Sequence, residues 1–91
     1  MKATKIRMKC GCKYSTKTTE IADIYVVGCT NPGFFSKENL HNYLKDHPGT
    51  IYVDISPYPQ LLPATSANGE KYVRSEAYDT PNDNLLKLPR V

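Results

Sequence analysis

Ninety-one residues are enough for one domain around one core, because a chain of this length buries only about 60–65 % of its unfolded surface. With 40 % hydrophobic and 23 % charged residues, the composition excludes wholesale disorder, a collagen-like repeat and a coiled coil. The net charge of +3 is uneven: the first 19 residues hold Lys2, Lys5, Arg7, Lys9, Lys13 and Lys17 with no acid, and acids outnumber bases thereafter. No apolar run approaches the roughly 18 residues of a membrane helix, the longest being Ile24 to Val27. The basic start lacks the apolar stretch of a secretory signal, so a cytoplasmic protein with no membrane partner is expected.

From Lys5 to Cys10 the pattern alternates strictly, which predicts a half-buried strand with Ile6, Met8 and Cys10 inward and Lys5, Arg7 and Lys9 outward. Gly11 to Thr19 is polar and reads as a loop. Ile21 to Val27, rich in β-branched and aromatic residues, predicts a second strand, closed by an Asn31-Pro32-Gly33 turn. Ser36 is a suitable N-cap for a helix over residues 37–47, in which Leu40, Tyr43, Leu44 and His47 share a face. Phe34 or Phe35 is placed to pack back on Leu40, and Pro48-Gly49 stops the helix.

Ile51, Val53 and Ile55 alternate with Tyr52 and Asp54 and predict a third strand. Pro57, Pro59 and Pro63 lack backbone donors, so a strand over residues 60–66 must lie at an edge or be bulged. Asn68-Gly69 predicts a type I′ hairpin that returns along Lys71 to Ala77. Asp83 to Pro89 predicts a helical turn whose leucines dock on the core. The order β-β-α-β-β-β predicts an α+β fold over residues 1–91: a small, mostly antiparallel sheet of about five strands, with one helix on one face and a short C-terminal helical turn.

Candidate chemistry is sparse. Lys5, Arg7 and Lys9 on one strand face, with solvent-facing Tyr25, Tyr52 and Tyr72 as stacking platforms, suit nucleic-acid binding. The alternative is that the lysines only protect an edge strand from aggregation. Cys10, Cys12 and Cys29 are too irregularly spaced for a zinc site, a Cys10–Cys12 bridge across a strand would be strained, and Cys10 is expected to serve as a small core residue. Neither a cofactor nor a metal is expected. His41 sits among polar neighbours and His47 near the helix C-terminus, where a cap is a better role than a base. With no phosphate loop, H-E-x-x-H or G-x-S-x-G, no catalytic residues are assigned and a non-catalytic binding module is expected. Its partner would be a protein, a second copy through a strand edge, or nucleic acid.

The C-terminal third is the most distinctive. Asn68-Gly69-Glu70-Lys71-Tyr72-Val73-Arg74-Ser75 followed by Asp83-Asn84-Leu85-Leu86-Lys87-Leu88-Pro89 resembles the ending of DUF3892, a family of small, mostly bacterial proteins of unknown function. Ile24 to Gly28 and the capped helix from Ser36 fall in the same order as in that family. The resemblance implies a fold and no activity. Arg74 and Asn84 are the matching residues least explained by packing; they either fasten the tail to the sheet or line a binding surface.

Overall fold

The computed structural model describes residues 1–15, 17–55, 58–76 and 84–91. Strands β1 (Lys2–Met8), β2 (Ile21–Val27) and β3 (Gly33–Ser36) precede helix α1 (Lys37–Asp46), and β4 (Tyr52–Val53), β5 (Leu61–Thr65) and β6 (Lys71–Ser75) follow it. Two 3₁₀ turns, Thr18–Glu20 and Asn84–Lys87, complete the α+β fold. The strands divide between a four-stranded sheet, ordered β3-β2-β1-β4, and the β5–β6 hairpin. Among the named strands of the described residues, β1 and β4 pair in parallel and the other pairs are antiparallel. The two sheets touch where the Leu61 N–H donates to the Ile51 carbonyl at 2.8 Å and Tyr52 bridges to Gln60.

The first strand begins earlier than its alternation predicts, and its phase changes on the way. Ala3, Ile6 and Met8 are buried, a spacing of three and then two. A register shift between Ala3 and Lys5 inserts Thr4 as an extra residue, so both Ala3 and Ile6 face inward. A second shift opposite Arg7 and Met8 does the same in β2, where Ile21, Ile24 and Val26 are the buried residues. Cys10 lies beyond the end of β1 and is exposed, which corrects its expected place in the core. The third strand has no forerunner in the pattern. Gly33 to Ser36 is too short to show a period, and only its pairing with β2, Phe34 opposite Tyr25 and Phe35 opposite Ile24, makes it a strand.

Strand β3 runs straight into α1, whose Ser36 cap accepts from the Asn39 amide at 3.1 Å. Phe35, just before the cap, packs against the core that includes Leu40, and both line the same pocket. The buried stripe is Lys37, Leu40, His41 and Leu44, which keeps Leu40 and Leu44 of the expected face and has Lys37 and His41 in place of Tyr43 and His47. His41 is buried, with Nδ1 3.1 Å from the Tyr72 carbonyl, whereas Tyr43 is half-buried and His47 is the exposed C-cap.

At the hairpin only Gly69 has positive φ, +81°, so the turn is not type I′. The Gly69 N–H donates to the Ser66 carbonyl, and Ser66 N–H to the Glu70 carbonyl, giving a three-residue loop in which Gly69 supplies the left-handed bulge. Pro63 sits in a two-stranded ribbon, where a missing donor is tolerated. The core joins the inner face of the larger sheet to Leu40 and Leu44 of α1, Leu61 and Val73 of the hairpin, and Leu85, Leu86 and Leu88. After those leucines the chain lies along β1: the Ile6 N–H donates to Pro89, and the Val91 N–H to Ile6, at 2.9 and 3.0 Å. Strand β1 is therefore internal, with β2 on one side and β4 and the C-terminal segment on the other. Its lysines do not protect an edge.

Candidate functional site

The bulges and pairings that send Ala3, Ile6, Ile24 and Val26 inward place their neighbours on the outer face. Cross-strand partners share a face, so Phe34, Tyr25 and Lys5 form one row across β3, β2 and β1. Ser36, Asp23 and Arg7 form the next, and Val27, Lys2 and Tyr52 a third that ends on β4. On this surface the cations lie over rings. The Lys5 ammonium is 5.3 Å from the Tyr25 centroid, the Arg7 guanidinium 4.0 Å from Phe34, and the Lys2 ammonium 6.0 Å from Tyr52. Tyr25 and Phe34 meet edge to face at 5.0 Å. One ion pair, Arg7 with Asp23 at 3.4 Å, offsets part of the positive charge. Lys2, Lys5 and Arg7 are exposed, and the three rings are half-buried.

Other residues singled out in the sequence go elsewhere. Lys9 leaves the row of Lys5 and Arg7 because β1 ends at Met8, and its ammonium reaches the Glu70 carboxylate at 2.9 Å. Tyr72 is buried against α1 at 7 % exposure and offers no stacking surface. Later in β6 the Arg74 guanidinium reaches the Ser75 carbonyl at 3.5 Å, and Ser75 is wholly buried. The tail is fastened by a residue the sequence reading passed over, Arg90, which donates to the carbonyls of Lys13 at 2.8 Å and Leu86 at 3.2 Å. Asp83, the Asn84 side chain and Ala77 lie outside the described residues.

Lys9 belongs to a second polar cluster. Lys37, in the first turn of α1, is 2 % exposed, and its ammonium donates to the Glu70 carboxylate at 2.7 Å and to the Thr19 carbonyl. Burial pushes its pKa below the usual lysine range, against the pull of Glu70. Hydrogen bonds from Lys37 and Lys9 hold the Glu70 carboxyl below its ordinary value, and Glu70 in turn raises Lys9. Every member is partnered, so the cluster pins the end of β1, the start of α1 and the hairpin to one another. No signal in the sequence marks it, because its three members are 28 and 33 residues apart.

An apolar pocket of about 340 Å³ opens beside the helix, lined by Met1, Val26, Cys29, Phe35, Leu40, Tyr43 and Ile51, with Thr30, Asn31 and Asn39 at hand. Among the described residues no three metal-ligating side chains come together.

The family model described as a protein of unknown function, DUF3892, matches residues 2–89. The chain belongs to this family. The DUF3892 match takes in every element from β1 to the second 3₁₀ turn, including the hairpin and the leucine tail that carried the resemblance. Comparisons with curated proteins and with solved structures each find no significant match. No helix among the described residues is long and apolar enough to cross a membrane.

Proposed function

We propose that this DUF3892 domain is a non-catalytic binding module whose outer sheet face takes single-stranded nucleic acid. The observation that carries the reading is the pairing of each exposed cation with a ring: Lys2 with Tyr52, Lys5 with Tyr25, Arg7 with Phe34. Bases stack on aromatic side chains whatever their sequence, and phosphates are neutralised by lysine and arginine. A sheet face that carries both, with Asp23 paired to Arg7, presents both halves of that chemistry on one surface. Sequence preference is expected to be weak, since stacking and phosphate contact do not read base edges.

Fluorescence anisotropy with a labelled single-stranded oligonucleotide over a range of salt tests the reading. Log K should fall linearly with log salt, by about 0.7 for each phosphate neutralised, and Lys2, Lys5 and Arg7 replaced together by Ser should reduce the slope by about 2. Absence of binding at low salt, or an unchanged slope in the triple variant, overturns it.

A further inference from the structure

Were Cys10 and Cys12 both on a strand, they would share one face about 6.8 Å apart and be hard to bridge. The chain instead turns there. The Cys12 N–H donates to the Lys9 carbonyl at 2.9 Å, closing a turn in which Gly11 takes φ +80°. This is the third position of a type II turn, which demands positive φ and therefore glycine. Two peptide units folded in a turn bring their flanking Cα atoms inside the roughly 4.4–6.8 Å window that a disulfide spans. Both thiols are free, Cys10 exposed and Cys12 half-buried.

Their surroundings differ in a way that gives each a role. The Cys12 thiol donates to the Glu20 carboxylate at 3.0 Å, and Glu20 is fixed in turn by the Ser15 hydroxyl. The hydrogen bond to Glu20 holds the Cys12 pKa up, so Cys12 stays a protonated thiol beside its acceptor. Cys10, outside that arrangement and open to water, is the thiol that meets a reagent first. Of the lysines beside the turn, Lys9 is engaged by Glu70 and Lys13 is exposed.

We propose that Cys10-Gly11-Cys12 is a reversible dithiol switch that exchanges with small disulfides, with Cys10 attacking and Cys12 resolving. Cys10 loses its proton to water and its sulfur attacks one sulfur of the disulfide. The S–S bond of the reagent breaks, a Cys10 mixed disulfide forms, and the first thiolate leaves and takes up a proton. Cys12 then loses its proton to water and its Sγ attacks the Cys10 sulfur. The second thiolate leaves and takes up a proton from water. The protein dithiol is oxidised by two electrons and one disulfide is reduced to two thiols. The closed ring removes the Cys12 donor from Glu20, which is the last residue of the Thr18–Glu20 turn, and so changes the loop that carries Lys13 and Lys17.

Oxidised glutathione is the probe, read by peptide mapping and mass spectrometry in a Cys29→Ser background. The fragment bearing Cys10 and Cys12 should lose two hydrogens and carry no glutathione. Cys12→Ser, which keeps a donor for Glu20, should trap glutathione on Cys10. Glu20→Gln, which removes the carboxylate that keeps the Cys12 thiol protonated, should speed resolution and leave less mixed disulfide. A lasting glutathione adduct on Cys10 with Cys12 intact, dimers linked through Cys10, or no reaction at either cysteine would each overturn the proposal.

Discussion

The outer face of the larger sheet and the junction of Lys9, Lys37 and Glu70 are both made of cations and their partners, yet they differ in what surrounds them. On the sheet face each ammonium or guanidinium lies over a ring with water beside it, and the Arg7 side chain is still 48 % exposed. At the junction the Lys37 side chain is 3 % exposed and its charge is answered by one carboxylate and one carbonyl. Exposed pairs contribute little because water substitutes for either partner, whereas a buried charge that loses its partner keeps the full cost of desolvation. The first region is thus free to be shaped by a ligand. The second is held by the fold.

The largest expected effect lies at the junction. Glu70→Gln should destabilise the domain by about 2–3 kcal/mol in chemical denaturation, less than a fully buried pair would lose because Glu70 is partly exposed. Adding Lys37→Met should recover most of that loss, since the uncompensated charge goes with it. If the single variant is as stable as the parent, the contrast between the two regions fails.

The pH dependence sharpens the same contrast. Glu70 has a folded pKa below its ordinary 4.5, so its contribution is complete above that value and is lost as pH falls through the folded pKa. The stability gap between the parent and Glu70→Gln should therefore narrow below about pH 4.5 and be constant from there to neutrality. On the alkaline side Lys9, raised by Glu70, loses its contribution as pH rises through its folded pKa, and Lys37, lowered by burial, acts in the opposite sense.

The smallest expected change in stability belongs to the sheet face. Lys2, Lys5 and Arg7 replaced together by Ser should alter unfolding free energy by less than about 1 kcal/mol. The same triple variant is the one expected to bind nucleic acid with a shallower salt dependence, so a thermal melt beside the binding measurement separates a surface role from a structural one.

Local chemistry made much of this architecture legible. Ser36 before a helix-period run, β-branched residues from Ile21, and Asn68-Gly69 between two strands each act through neighbours a few residues away, and each marks its element correctly. The leucine tail was legible for the same reason and also carried the family. Lys5, Arg7, Tyr25 and Tyr52 were placed on an outer face because alternation is a local property. Tyr72 follows the same alternation and is nevertheless buried, because β6 has α1 against one side and the core on the other.

The sequence by itself determined the α+β class, the helix with its cap, most strands, the site of the hairpin and the family, all consequences of periodicity and backbone preference over short distances. Tertiary structure alone decided that the strands split into two sheets, that β3 exists, that Lys9 turns from Arg7 to Glu70, that Lys37 is buried, and that the Cys12 thiol meets Glu20. Those outcomes depend on groups brought together from distant parts of the chain, and on two one-residue bulges that reset which side chains face the core.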